Sequence, residues 1–519
     1  MPVLNLGEVL ATNARLFPDR PGARDLDRTM TFQQWNTRAC RLANALLGLG
    51  LKPGDRVAVL AYNCVEWMEI YAAVAKAGLV AVPVNFRLVG PEITYIVTDC
   101  DARAFIVEDA LLGTVEEIRG TLSINRGCYI HFGGKSTPAG YQSYEGLVSA
   151  ASDVEPTVPV LPSDPWTLMY TSGTTGRPKG AIRSHAKGAL LSLVTEVELG
   201  FSRRDTALLV MPMCHANSLY FATALAYCGG ACSVYSRPSF DPEHVLATLT
   251  EASFTSMVPT QYVMLLDLSA EVRARYATDK VSKLMISSAP ARRETKLAVT
   301  ELFPSSGLFE LYGSTEAGWV TMLQPEEQLS KLGSVGRECV GTRPVRLLDE
   351  AGDEVPDGEV GELYSWTPYT FDGYWNLPEK TAEAFNDGYC SVGDMARRDE
   401  DGFLYLVDRK SNMIITGGEN VYPSEVEAVL GAHPAVRDAA AIGLPDAKWG
   451  ERVHGVVVLR GGTTTSVDEL IEWCRARLAG YKRPRSISIV AAEVMPKTAT
   501  GKIQHRLLKQ RFLEKEQGR

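Results

Sequence analysis

The sequence predicts an α/β protein built on doubly wound, mostly parallel sheet, and three observations lead there. Short apolar runs at Arg56–Leu60, Val80–Val84 and Ala104–Glu108 alternate with segments of helical periodicity at Glu66–Ala77 and Glu92–Asp99. The turns between them are brief, as at Pro53-Gly54-Asp55, so strand, helix and strand make a βαβ unit whose crossover is right-handed. At 519 residues the chain is too long for one core, and two or three domains are expected.

Taken in order, Met1–Arg15 is amphipathic rather than a basic cap followed by an apolar run, so no signal peptide is expected. Pro156, Pro159, Pro162 and Pro165 interrupt regular structure and read as a linker between subdomains. Trp166–Tyr170 reads as a short buried strand, and Ala181–Glu196 carries apolar residues at helical spacing. Residues 207–210, 255–257 and 284–286 are strand-like, and each runs into small or polar residues: His215-Ala216-Asn217, Pro259-Thr260 and Ser287-Ser288-Ala289. Ligands of open α/β sheets collect at the carboxyl ends of strands, so these exits are a candidate binding face. On residue type alone, His215 suits a ligand-facing role and a structural one equally.

Between the strand at 166–170 and the helical pattern lies Thr171-Ser172-Gly173-Thr174-Thr175-Gly176-Arg177-Pro178-Lys179-Gly180. Four hydroxyls, three glycines, two cations and no apolar side chain cannot belong to a core. Such a loop offers unobstructed backbone N–H groups, and phosphate oxygens suit that nest. It is not a Walker A loop, in which Gly-Lys-Ser/Thr follows the first glycine after four residues. Here Lys179 comes two places too late, and the Gly-Lys pair at Gly501-Lys502 continues into Ile503.

Composition narrows the field. The chain is 45% hydrophobic and 22% charged, with a net charge of −9, which gives no reason to expect nucleic acid or an anionic membrane as partner. No apolar run approaches the ~20 residues that span a bilayer. The ten cysteines are scattered with no Cys-x-x-Cys, so neither zinc site nor disulfide framework is expected, and a cytoplasmic setting is. From Ser411 onward Lys and Arg number 16 against 12 Asp and Glu, while the rest of the chain is acidic.

The loop at 171–180 resembles the phosphate-binding signature of the adenylate-forming superfamily, which holds acyl- and aryl-CoA ligases, luciferases and peptide-synthetase adenylation domains. Further motifs follow in that family's order. Leu311-Tyr312-Gly313-Ser314-Thr315-Glu316 is similar to the second signature, implying that Tyr312 lies against adenine, Gly313, Ser314 and Thr315 adjoin the nucleotide, and Glu316 holds Mg²⁺. Gly388–Asp394 resembles the ribose motif, with Ser391 where a threonine is usual and Asp394 as acceptor for both hydroxyls; Arg409 corresponds to the ribose-contacting arginine. Two residues on, Ser411 stands where the family has an Asp or Lys pivot. Met413–Pro423, with Gly417 and Gly418, resembles the segment lining the CoA tunnel, and Trp449 matches a position on that tunnel in chlorobenzoate–CoA ligases. Pro496–Ile503 resembles the loop bearing the adenylation lysine, here Lys502.

The resemblance covers nearly the whole chain. It implies a large N-terminal adenylation domain, residues 1–410, of doubly wound sheets with a small β-barrel-like subdomain. A small mobile α+β domain, residues 411–519, would carry the catalytic lysine and the CoA tunnel. It implies an ATP-dependent carboxylic acid–CoA ligase with ATP, Mg²⁺ and coenzyme A as cofactors: acyl-AMP and pyrophosphate form first, then CoA displaces AMP. Lys502, Glu316 and Thr175 would be the catalytic groups, and Thr171–Gly176 with Lys179 would hold the phosphates. His215, Ala216, Asn217, Ala289, Leu311 and Trp319 would wall the acyl pocket. Gly313 replaces the tryptophan that floors acetate pockets, so a larger acid is expected, aryl, cinnamate-type, medium-chain or branched. Asn217 suits a hydroxylated acid. A homodimer is common in the family. Alternatives are a ligase loading a carrier protein's phosphopantetheine, disfavoured because no carrier domain follows Arg519, and a luciferase-like oxygenase. A binding module that has lost catalysis is disfavoured by the presence of Lys502, Glu316 and Asp394 together.

Overall fold

A computed structural model describes residues 4–171, 178–287, 291, 293–416, 419–446, 448–498 and 501–516, with the side chains of Ser411, Asn420 and Glu516 excepted. The chain divides into two compact units. One comprises Met1–Pro344 with Ser365–Cys390, and the other Val345–Tyr364 with Ser391–Arg519. The expected 410/411 boundary falls inside the second of these units.

The first unit holds two large sheets. In the eight-stranded sheet the order runs Gly373–Tyr374, Lys179–Ser184, Pro165–Thr171, Val80–Val84, Arg56–Leu60, Ala102–Glu108, Tyr129–Phe132 and Gln142–Ser143. From Pro165–Thr171 onward every pairing in that order is parallel. Helix Glu66–Ala77 is buried along most of its length and ends at Gly78, whose φ of 65° is the left-handed cap that only glycine adopts without strain. Its Trp67 and Tyr71 join the largest apolar cluster of the chain, where each fully enclosed Val, Leu or Ile contributes ~1.5–3 kcal/mol. The nine-stranded sheet runs Arg337–Glu338, Gly318–Leu323, Gly307–Ser314, Lys283–Ser287, Phe254–Met257, Thr206–Leu209, Ala231–Val234, Pro21–Arg24 and Thr29–Thr31. Its middle strands, from Gly307–Ser314 to Ala231–Val234, are parallel, so their carboxyl ends open on one edge.

Two expectations are corrected here. Ala181–Glu196 is not one helix: Lys179–Ser184 is a strand antiparallel to Pro165–Thr171, with Thr171 opposite Lys179 and Leu168 opposite Ile182, and the helix is His185–Leu199. A short apolar run satisfies either period, and pairing with Pro165–Thr171 on one side and Gly373–Tyr374 on the other decides for strand. The proline-rich segment before Pro165 carries no helix or strand after Ala150, but it connects parts of one sheet, with Gln142–Ser143 before it and Pro165–Thr171 after it, rather than two subdomains.

The second unit begins with an antiparallel sheet of Arg346–Leu348, Val360–Tyr364, Asp394–Arg398 and Leu404–Arg409, where the small barrel-like subdomain is expected. A five-stranded sheet follows. The hairpin of Val436–Asp446 and Gly450–Leu459 forms its centre, flanked by Ile414–Thr416, Glu419–Val421 and Ser486–Ile489. Helices Pro423–Gly431 and Val467–Arg475 pack on one apolar cluster, and Leu508 and Phe512 of His505–Glu516 on a second. Among the described residues no helix is long and apolar enough to cross a membrane.

One buried group makes stability pH-dependent. His185 is 3% exposed, stacks on Trp166, and has no partner for either ring nitrogen among the described residues. Burial lowers its pKa to about 4, with Asp164 opposing. Its folded pKa lies below the unfolded value of 6.5, so the unfolded chain binds the proton first. Stability is therefore whole above pH 6.5 and declines towards pH 4, by up to about 3 kcal/mol. His185→Phe is expected to flatten the fall in Tm between pH 7 and pH 5, measured by calorimetry.

Candidate active site

Each unit carries its own cluster of candidate groups. In the first unit the hub is Glu316, in the turn between the antiparallel strands Gly307–Ser314 and Gly318–Leu323. Its carboxylate is buried, and Oε1 accepts from the Thr171 hydroxyl and from the Tyr374 hydroxyl, each at 3.0 Å. Thr171 ends the strand before residues 172–178, and Lys179 begins the strand after them. Lys179 Nζ sits 4.0 Å from the centre of the Tyr374 ring. Burial lowers the pKa of Lys179, while the Glu316 charge opposes that shift. Two signatures separated by 145 residues therefore meet at one carboxylate.

Gly313 fits only as glycine: a Cβ there would lie 2.2 Å from the Gly318 carbonyl oxygen. Tyr312 and Leu311 are buried, and the Ser314 hydroxyl accepts from the Ala317 N–H, which shapes the turn around Thr315. Ser172, Gly173, Thr174, Thr175 and Gly176 lie outside the described residues, as do Ala289 and, in the second unit, Gly417 and Gly418.

At the strand exits, Asn217 Nδ2 donates to Ser256 Oγ at 3.1 Å and to Ser287 Oγ at 2.9 Å. The two serine hydroxyls are 3.2 Å apart, and the Asn217 Oδ1 is buried without a partner among the described residues. Two positions back, His215 also leaves Nε2 unpartnered; burial and the Arg87 charge lower its pKa to about 4, so the ring is neutral at pH 7. Ala216 opens the helix Ala216–Cys228 beside them. Trp319 packs inward instead: its indole N–H donates to Thr195 Oγ1 at 2.8 Å and the ring stacks on Phe221.

In the second unit Arg409 Nε donates to Asp394 Oδ1 at 3.1 Å. Lys502 is an exposed residue whose ammonium is nonetheless desolvated by the surrounding chain. That desolvation and the Arg409 charge lower its pKa, and Asp394 opposes. The three groups assigned to ribose and α-phosphate are thus electrostatic neighbours, one carboxylate against two cations. Ser391 donates to Glu362 Oε1 at 2.7 Å and accepts from the Gly393 N–H at 3.0 Å, so the serine does the work of holding the Asp394 turn. Lys410 Nζ binds the other Glu362 oxygen at 2.8 Å. Ser411 lies in the short helix Lys410–Asn412, beside Asp408, whose carboxylate accepts from the N–H of Ser424 and the side chain of Asn412. Trp449 occupies the turn of the long hairpin, with Arg485 4.3 Å and Lys448 4.8 Å from its ring centre.

Tyr374 and Glu362 are the residues that sequence reasoning missed. Tyr374 lies 58 positions beyond Glu316 and Glu362 29 before Ser391, and neither lies in a motif singled out from the sequence.

A buried carboxylate on Thr171 in the first unit, and a lysine in the electrostatic reach of Asp394 in the second, are features expected of an adenylate-forming enzyme. The comparisons agree. The model of the AMP-binding enzyme family matches residues 10–375, and that of the AMP-binding enzyme C-terminal domain matches residues 425–502. The chain belongs to the AMP-binding enzyme family and stands among its acid–CoA ligases. It is 36% identical to a feruloyl-CoA synthase of an Amycolatopsis species over 98% of this chain and 99% of that relative. With the indoleacetate–CoA ligase of Aromatoleum aromaticum it shares 32% identity over 96% of this chain and 97% of the relative. The solved structure of the anthranilate CoA ligase AuaEII with anthranoyl-AMP superposes with a TM-score of 0.89 at 28% identity, covering all of this chain and 98% of that one.

Proposed function

We propose that this chain is an AMP-forming carboxylic acid–CoA ligase whose acid is larger than acetate. The observation that carries the reading is the Glu316 carboxylate held by Thr171 and Tyr374, which joins the phosphate loop to the second signature. In the first half-reaction a carboxylate oxygen attacks the α-phosphorus of ATP, the bond to the β-phosphate oxygen breaks, and pyrophosphate leaves. That attack adds negative charge to an anionic centre, so donors and cations must already face it. Thr171, Lys179 and the loop 172–176, with Thr175 among the catalytic groups, hold the β- and γ-phosphates; Asp394 and Arg409 hold the ribose; Lys502 faces the incoming carboxylate and the α-phosphate. In the second half-reaction the CoA sulfur attacks the acyl carbon, the thiol proton passes to solvent, and AMP leaves.

Glu316 fits Mg²⁺. A hard, reluctantly dehydrated cation takes one protein carboxylate and completes its shell with phosphate oxygens and water. When bound, the ion would neutralise phosphate charge.

We place the functional boundary at Ser411, with residues 411–519 swinging between the half-reactions; Lys502 serves the first, and Gly417, Gly418 and Trp449 the second. The cations over Trp449 suit an anionic thiol substrate such as CoA. Among the described residues no cysteine forms a disulfide, and we place the protein in a reducing cytoplasm. A homodimer is the assembly we propose.

The acid is placed among His215, Ala216, Asn217, Ala289 and Leu311, with Trp319 behind. The relatives above are named for aryl acids, which supports an aryl substrate. Whichever way its amide is turned, Asn217 spends one end on Ser256 and Ser287 and leaves the other for a ligand. A substrate hydroxyl, which both donates and accepts, satisfies it. Asn217→Leu is therefore expected to lower kcat/KM for a hydroxylated aryl acid by about 10–100-fold relative to its unhydroxylated analogue.

The test of the function is a panel of aliphatic, branched and aromatic acids with and without CoA. Acid-dependent pyrophosphate release, with thioester and AMP once CoA is present, is expected. Thioester on a holo-carrier protein but not on CoA would favour a carrier-loading ligase, and light from luciferin an oxygenase.

A further inference from the structure

Arg183 is 2% exposed, on the strand that leaves the phosphate loop, and no carboxylate lies in ion-pair contact with it among the described residues. Its guanidinium is instead spent on neutral acceptors. Nε donates to the Tyr220 hydroxyl at 2.6 Å, Nη1 to the Tyr369 carbonyl, and Nη2 to the carbonyls of Thr315 at 2.6 Å and Glu316 at 3.4 Å. Removing a cation from water without a counter-ion is expensive, and a fold that needed only to fill this volume would use an apolar side chain. The planar fork delivers something an apolar side chain lacks, several donors in fixed directions.

Those directions converge on the turn that carries Glu316. The Glu316 carboxylate is tied to Thr171 at one end of the phosphate loop, and its backbone is tied through Arg183 to the strand that leaves the other end. Tyr369, which shares the guanidinium, anchors its own hydroxyl on the Trp319 carbonyl in the strand after the turn. One side chain thus ties the backbone of the turn to the strand that begins at Lys179, and adds a second cation to the surroundings of a carboxylate that Lys179 also attracts.

We propose that Arg183 is a positioning residue for the metal–phosphate site: it holds the Thr315–Glu316 backbone so that the Glu316 carboxylate keeps its contact with Thr171. This rests on the nucleotide-binding reading above, and the consequence is specific. Losing Arg183 degrades recognition of MgATP and leaves recognition of the acid alone.

The experiment measures ATP binding by titration calorimetry across a series of Mg²⁺ concentrations, for wild type, Arg183→Met, Arg183→Lys and Tyr220→Phe. KM for ATP and for the acid is measured in parallel. Arg183→Met is expected to weaken ATP binding and raise the Mg²⁺ half-saturation about tenfold, the scale of lost charge-assisted hydrogen bonds, with KM for the acid within about twofold of wild type. Arg183→Lys, which keeps the charge but not the fork, is expected to recover part of the loss. If Arg183→Met does not fold, Arg183→Lys and Tyr220→Phe are judged by the same criteria. A fall in Tm with ATP and Mg²⁺ dependence unchanged, or an equal rise in KM for both substrates, overturns the proposal. Wild type that binds MgATP yet releases no pyrophosphate with any acid would instead overturn the ligase reading, and the binding comparison would still decide the role of Arg183.

Discussion

Lys502→Ala is expected to lower acyl-adenylate formation by about three orders of magnitude while leaving thioester formation from supplied acyl-AMP within about threefold of wild type. The reason lies in the charges of its own unit. Lys502 feels the Arg409 cation and the Asp394 carboxylate, and an anionic phosphate placed there would add to the attraction on its side of that balance. Desolvation of the ammonium strengthens its attraction for charge that grows in the transition state. Once acyl-AMP exists, that charge has left with pyrophosphate, and the lysine has nothing further to stabilise. The measurement is pyrophosphate release in the first assay and thioester in the second. Equal loss in both would remove Lys502 from the adenylation step.

Gly418→Leu is expected to do the reverse, lowering thioester formation by about 100-fold or more with pyrophosphate release nearly unchanged, because an extended thiol arm needs backbone that carries no side chain. Thr416 and Glu419 are paired across adjacent strands, and residues 417 and 418 stand between them in the chain. If Gly418→Leu blocks pyrophosphate release as severely as thioester synthesis, the division of labour between Lys502 and Gly418 fails.

Much of this was readable before any coordinates. Glu66–Ala77 and Val80–Val84 appear in the structure with the boundaries read from the sequence, because a long apolar helix ending at Ala77-Gly78 and a five-residue apolar run admit few alternatives. Thr171, Glu316, Asp394 and Arg409 were picked out by the resemblance of their motifs to those of the adenylate-forming family, and the structure sets Thr171 against Glu316 and Arg409 against Asp394. What escaped depended on contact across long sequence separations. Ala181–Ser184 was absorbed into a helix because only pairing with its two neighbouring strands distinguishes it. Tyr374 reaches Glu316 from another part of the fold, and Arg183 acts on backbone carbonyls, which leave no trace in residue type. Trp319 sits in the right stretch for a pocket wall, yet its indole N–H is committed to Thr195 and its ring to Phe221.

The most direct measurement of the central claim is isotope exchange between pyrophosphate and ATP by the wild-type protein with an aryl acid and no CoA. If the acid attacks the α-phosphorus and acyl-AMP waits in the site, labelled pyrophosphate enters ATP only when the acid is present, and Lys502→Ala abolishes the exchange. Acid-dependent ADP and phosphate with no exchange would place the attack at the γ-phosphorus and contradict the account.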